Sequence, residues 1–313
     1  MPQRDATFRP TTQAVRPTTV IEAPRLAKRL GVDVTLASET FQHTGSFKFR
    51  AAYNVAANVP NAHFITASSG NFGQALAYAC QLLKKSCLVV MPSTSAQVKV
   101  EAVREYGGAV DLIDTRITPR KARVEQLARA HPEAYVASAY DDPLVIQGNA
   151  TLGKELAAFA DDFDVVLAPI GGGGLTSGII TGLRDAGCRT PVVAAEPLLA
   201  NDAARSLRAG RIVTNETEPQ TIADGARVLS VGQHNWAVLR DGLAGIIEVT
   251  DEHIKEAVRL LFTLANLKAE PTGALTIGAL LAAPERFRGQ RVCCVVSGGN
   301  VDAAVFRSIL VGD

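Results

Sequence analysis

The chain has 313 residues and a mass of 33.0 kDa, with 47% apolar residues, 20% charged residues and 32 basic against 31 acidic side chains. At roughly 150 residues per domain this is material for about two domains, each large enough to bury a core. The balanced charge carries no basic footprint for nucleic-acid phosphates, no apolar run approaches the roughly 20 residues that cross a bilayer, and the opening MPQRDATFRPTTQAVRP has no apolar stretch after its basic residues. The expectation is a soluble, cytoplasmic chain without nucleic-acid or membrane partners. Five cysteines, Cys80, Cys87, Cys188, Cys293 and Cys294, show no CxxC spacing and read as buried thiols of a reducing compartment rather than as disulfides or zinc ligands.

In chain order, short β-branched runs predict strands at 32–38, 63–68, 87–91, 110–114, 165–170, 192–196, 246–250 and 292–297. Between most of them lie stretches of helical period, such as FGQALAYACQLLKK and DEHIKEAVRLLFTLANLK. Strand alternating with helix, with strands apolar on both faces, predicts an α/β fold of open, twisted, mostly parallel sheets covered by helices on both sides. The segment 205–245 is weak in periodicity and reads as loops and short helices near a site.

Several strand ends carry chemistry-bearing residues. In ETFQHTGSFKFRAA, Lys48 falls on the first turn of a helix among Phe47, Phe49 and Ala51. Such neighbours desolvate an amine, lower its pKa and favour the neutral form that condenses with carbonyl compounds, although most lysines are simply solvated. In TASSGNFGQALAYA, the strand runs into Ser68, Ser69, Gly70 and Asn71 before a helix, which makes either a plain cap or a cradle for a carboxylate. In PIGGGGLTSGIITGL, Gly171, Gly172, Gly173 and Gly174 lie between strand and helix, where converging amides and the helix N-terminus suit a phosphate. The run has neither the Lys-Ser/Thr ending of a P-loop nor the GxGxxG pattern. VVSGGN, with Ser297 at the strand end, and EPTGA at 270–274 follow. In an open parallel sheet such strand ends face one crevice.

Together TGSFKFR, SSGNFGQA, GGGGL, EPTGA and SGGN, in this order and spacing, resemble the fold-type II pyridoxal-phosphate enzymes, the tryptophan synthase β-like fold, and within them the serine/threonine dehydratase and serine racemase group. The resemblance runs from about Ala23-Pro24 to Asp302. It implies that Lys48 holds pyridoxal phosphate covalently, that Gly171, Gly172, Gly173, Gly174 and Leu175 bind its phosphate, that Asn71 bonds the ring hydroxyl and that Ser297 faces the ring nitrogen. Ser68, Ser69, Gly70 and Asn71 take the substrate carboxylate, and Ser69 stands where racemase-like members keep a second acid/base. AEPLLAND at 195–202 resembles the metal-binding segment of those members, which makes Glu196, the Ala200 carbonyl and Asp202 ligands for Mg2+ or Ca2+; the plain alternative is a capped helix start with two unrelated acids. IADGARVLSVG at 222–232 fits the substrate-side loop, with Asp224 and Ser230 as further contacts.

The implied architecture has a large cofactor-binding domain from 1–51 and 143–313 and a small mobile domain at 52–142, in a homodimer. The implied activity is an ammonia-lyase converting serine, threonine or 3-hydroxyaspartate to a 2-oxo acid and ammonia, with racemisation as a second activity. Two other readings stay open: a β-replacement enzyme, whose asparagine loop typically runs TSGNTG, and a non-catalytic protein that binds a phosphate ligand through the glycine loop alone. The sequence departs from the group at Phe72, where histidine is usual, and at Ala51 in RAA, where RGA is commoner. The length beyond the motifs leaves no room for a regulatory domain, which favours a catabolic or racemising role.

Overall fold

The computed structural model describes residues 10–68, 70–95 and 97–312. Its strands are β1 (Thr19–Glu22), β2 (Asp33–Ser38), β3 (His63–Ala67), β4 (Ser86–Pro92), β5 (Ala109–Ile113), β6 (Tyr135–Val136), β7 (Val165–Pro169), β8 (Val192–Pro197), β9 (Leu243–Val249) and β10 (Arg291–Val296). The helices are α1 (Thr11–Ala14), α2 (Pro24–Leu30), α3 (Lys48–Asn58), α4 (Asn71–Leu82), α5 (Gln97–Glu105), α6 (Arg120–Ala130), α7 (Pro143–Ala157), α8 (Gly174–Asp185), α9 (Asp202–Ala209), α10 (Gln233–Gly242), α11 (Asp251–Ala265), α12 (Leu275–Ala282) and α13 (Ala303–Val311).

Two sheets organise these elements. One has six strands in the order β1-β2-β10-β7-β8-β9, and the other has four in the order β5-β4-β3-β6. Every pairing is parallel except β1 with β2, where Val20 stands opposite Ala37. The strands β7, β8 and β10 are buried almost along their length, because helices cover both faces. One core lies on the face of α11 and α12, around Leu36, Leu167, Leu261 and Ile277, and a second on the face of α8, around Val166, Leu152, Ile179 and Val295. The four-stranded sheet packs α3 and α4 on one side through Phe49, Phe72, Leu76 and Met91.

All eight strands expected from the sequence are present, with ends that differ by a few residues. The two not foreseen are marginal in pattern: β1 is a four-residue edge strand whose side chains are none of them buried, and β6 has two residues. The weakly periodic segment holds the end of α9, a 3-10 turn at Asp224–Ala226 and α10.

Candidate functional site

The carboxyl ends of β3, β7 and β10 and the start of α3 open onto one cavity of about 880 Å³. Its wall includes Lys48, Ser68, Gly70, Asn71, Gly171, Gly172, Gly173, Gly174, Leu175 and Ser297. Of the residues expected at a cofactor and substrate site, Ser69 lies outside the described residues, and the others named here converge although they come from four separate parts of the chain.

Lys48 is the first residue of α3, as its motif predicts. Its amine donates to the Ala139 carbonyl at 2.7 Å and stands 5.0 Å from the Phe47 ring centroid and 5.8 Å from that of Phe72. Burial removes water from the ammonium and brings its pKa down to about 8, against the opposing charge of Glu270. Phe72, the departure from the group, is a buried core residue of α4 and forms part of this apolar wall.

The glycine loop fits a tightly held anion. Gly173 has φ +94°, a left-handed conformation that favours glycine. A Cβ on Gly172 would collide with the Tyr140 ring, so only a bare backbone leaves this wall open. The loop is tied from behind: Asn235 Nδ2 donates to the Gly172 carbonyl at 2.7 Å and to that of Tyr140 at 3.0 Å, and Asn149 Nδ2 donates to Gly174 at 3.0 Å. Those bonds use carbonyls. The amides of Gly171, Gly172, Gly173, Gly174 and Leu175 have no acceptor among the described residues, and α8 begins at Gly174 with its positive end toward the cavity wall. A donor-only lining of this kind suits a phosphate, and a desolvated lysine in the same cavity suits the aldehyde of pyridoxal phosphate.

Asn71 is held at both ends of its amide. Its Nδ2 donates to Glu270 Oε1 at 2.7 Å, while its Oδ1 accepts from Asn300 Nδ2 at 3.0 Å. The Ser68 hydroxyl oxygen accepts from the amides of Gly70 and Gly73 at 3.1 and 3.0 Å, so the residue caps the helix and also lines the cavity. Ser297 is buried at the end of β10, and its carbonyl accepts from the Phe47 amide at 3.0 Å, which fixes the approach to Lys48.

Sequence reasoning misses Glu270, Lys99, Tyr140 and Asn235. Glu270 opens the EPTGA motif, whose local pattern signals only a helix start, and burial pushes its carboxyl up to about 8, with the charge of Asp224 adding to the effect. Lys99 pairs with Asp224 at 2.5 Å, in the loop expected on the substrate side. Ser230, the other residue expected there, is absent from the cavity wall.

Glu196, Ala200 and Asp202 come together at the end of β8 and the start of α9, all buried. Glu196 accepts from the amides of Ala203 and Ala204, both at 2.8 Å. Asp202 Oδ1 accepts from Asn215 Nδ2 at 3.0 Å, and its Oδ2 has no partner among the described residues. Burial raises both carboxyls, Asp202 to about 6 and Glu196 well above its usual value, with the Asp202 charge contributing at Glu196. Two neighbouring buried acids and an orphaned oxygen fit a hard divalent cation. Among the described residues, no group of three or more His, Cys, Asp and Glu side chains is placed to hold a metal.

The family model for pyridoxal-phosphate dependent enzymes matches residues 11–298. An L-threo-3-hydroxyaspartate ammonia-lyase of Pseudomonas sp is 37% identical over 300 residues, covering 94% of this chain and 93% of that protein. Serine racemase of Schizosaccharomyces pombe is 32% identical over 289 residues, covering 91% and 89%. Among solved structures, a threonine deaminase of T.th. superposes with a TM-score of 0.88 at 39% identity, covering 94% of this chain and 96% of that one.

Proposed function

The chain belongs to the pyridoxal-phosphate-dependent enzymes, and from that premise we propose that it is an ammonia-lyase that converts a β-hydroxy-α-amino acid, with 3-hydroxyaspartate, serine and threonine as the candidates, to a 2-oxo acid and ammonia. The observation that carries this reading is the shared cavity in which the desolvated Lys48 amine faces the amide-lined loop Gly171–Leu175. Relatives named for hydroxyaspartate ammonia-lyase, threonine deaminase and serine racemase support the reaction class and racemisation as a second activity.

In this reading Lys48 holds pyridoxal phosphate, the amides of Gly171, Gly172, Gly173, Gly174 and Leu175 hold its phosphate, and Asn71 and Ser297 orient its ring. When bound, the cofactor supplies an electron sink for negative charge at the substrate Cα. Ser68, Ser69, Gly70 and Asn71 receive the substrate carboxylate on amide and side-chain donors. The Lys48 amine would take the substrate Cα proton on Nζ, and its lowered pKa favours the form that accepts it near neutral pH. Ser69 returns a proton on the opposite face when racemisation occurs. Ser297, buried at the end of β10, would face the cofactor ring with a neutral hydroxyl rather than a carboxylate.

Residues 52–142 move as a small domain against 1–51 and 143–313, and closure excludes water from the cleft. Glu196, the Ala200 carbonyl and Asp202 hold Mg2+ or Ca2+. The enzyme works as a cytoplasmic homodimer; no helix among the described residues is long and apolar enough to cross a membrane.

The test is an absorbance spectrum of the purified protein before and after borohydride, followed by assays of 2-oxo acid and ammonia with L-serine, L-threonine and 3-hydroxyaspartate separately. A visible band removed by borohydride and one amino acid that yields product support the reading. A bound chromophore with no product from any of the three overturns it.

A further inference from the structure

Glu270 is the most buried acid of the cleft wall that the reaction as described leaves unused. Only 2% of its surface is exposed, and it lines the cavity. Its Oε1 accepts from Asn71 Nδ2 at 2.7 Å, whereas Oε2 is buried without any partner among the described residues. The fit around Oε1 is tight, since a Cβ on Gly298 would come within 2.7 Å of it. Glu270 forms no ion pair among the described residues, because the nearby Lys99 ammonium is engaged by Asp224 at 2.5 Å. An ionised carboxylate with one naked buried oxygen is costly, whereas in the neutral acid the same oxygen becomes a hydroxyl donor.

We propose that Glu270 sits in the site as a neutral carboxylic acid, one oxygen fixing the Asn71 amide and the other, as a hydroxyl, donating a hydrogen bond to the substrate. The inference rests on the reading of the cleft as the substrate site and adds a residue that makes it hospitable to an anion. In that reading the substrate carboxylate comes to the segment that ends at Asn71, whose amide bonds Glu270. An anionic Glu270 would repel it, and a neutral Glu270 offers it a proton to bond. The groups that face Glu270 are the Asn71 amide from α4, the Lys99 ammonium from α5, the Asp224 carboxylate from the 3-10 turn and the Lys48 amine from α3. Burial and Asp224 keep the proton on Glu270, and Lys99 and Lys48 oppose them, which brings its titration to about 8.

Two readouts test this. Infrared difference spectra of the holoenzyme, wild type minus Glu270→Gln, isolate the protonated-carboxyl band of Glu270, which should be near full strength at about pH 7 and reduced to roughly a tenth by about pH 9. Steady-state kinetics should show the wild-type KM rising roughly tenfold per pH unit above about 8 with a smaller change in kcat, and that alkaline rise should vanish in Glu270→Gln, whose amide cannot ionise. Titration of Lys48 falls in the same range but would survive in Glu270→Gln, so loss of the alkaline rise in that variant assigns it to Glu270. Where Glu270→Gln does not fold, Glu270→Asp serves: it keeps an ionisable acid one methylene shorter, so its carboxyl band should move and its alkaline rise should persist. Absence of the neutral carboxyl band at pH 7, or a KM profile unchanged in Glu270→Gln, overturns the proposal. The infrared result is independent of turnover, so a protein that processes none of the three amino acids would sink the lyase reading and leave the protonation of Glu270 measured.

Discussion

Lys99 Nζ and Asp224 Oδ2 meet at 2.5 Å, joining helix α5 beside the four-stranded sheet to a turn that belongs to the six-stranded unit. Burial works against the Lys99 ammonium, yet the Asp224 carboxylate holds it above its usual range. The lysine side chain also lies over Gly70, so one residue touches both the segment that follows β3 and the opposite wall of the cleft.

Breaking this pair by Lys99→Met should therefore loosen substrate binding more than cofactor binding. Loss of about 1.4 kcal/mol at a partly buried pair corresponds to a roughly tenfold higher KM. In the wild type KM should rise with salt as the pair is screened, and in Lys99→Met it should not. Equal salt dependence in both proteins would show that the pair has no part in closing the cleft.

The Lys48 amine gives a pH dependence with a definite sign. A pKa of about 8 instead of the usual 10.5 leaves about 300-fold more free amine near neutrality. Attachment of pyridoxal phosphate to cofactor-free protein should accelerate as pH rises to about 8 and level off above it. Stopped-flow absorbance measures this, and Lys48→Ala should retain no cofactor after borohydride and denaturation. A rate still climbing tenfold per unit at about pH 9 would mean that burial does not depress this amine.

The limits of sequence reading follow from the range of the interactions. The strands VVLAPI and VCCVVS were legible because burial on both faces writes a continuous apolar run into the chain itself, and the start of α3 at Lys48 was legible in the same local way. Edge strand β1 was not, since only pairing with β2 defines it. Within the site, Lys48, Asn71 and the glycines announce themselves by residue type at strand ends. Glu270 does not: its environment depends on Asn71, 199 positions away, and on Asp224 and Lys99 from two further segments. Tyr140 and Asn235 likewise act on the glycine loop only through the fold.

Gly173→Ala tests how far the loop depends on backbone freedom. A φ of +94° strains an L-residue by roughly 1–2 kcal/mol, and the new methyl would approach Leu239 Cδ1 at 2.7 Å. The backbone relieves this by turning its amides away from the cavity. The expected result is at least a tenfold weaker hold on pyridoxal phosphate, read by equilibrium dialysis, with a lower Tm. Unchanged cofactor affinity would mean that the amides of this loop do not hold the phosphate.

Glu196 and Asp202 make the last prediction. Two carboxyls are buried at the end of β8 and the start of α9, one with an oxygen that has no partner among the described residues, and neither forms an ion pair with a basic side chain among them. A divalent cation that binds the folded chain alone stabilises it by about 2.7 kcal/mol at one hundred times its Kd. Mg2+ or Ca2+ added to chelator-treated protein should therefore raise Tm by several degrees in the wild type. The double variant Glu196→Gln, Asp202→Asn removes both carboxyl ligands and should lose the cation response while its chelator-treated form melts no lower than the chelator-treated wild type, because neutral amides cost less to bury than a carboxylate. Ala200 contributes a carbonyl that no side-chain change removes, so residual weak binding in the double variant is compatible with the site. A full cation response in that variant is not, and would move the site elsewhere.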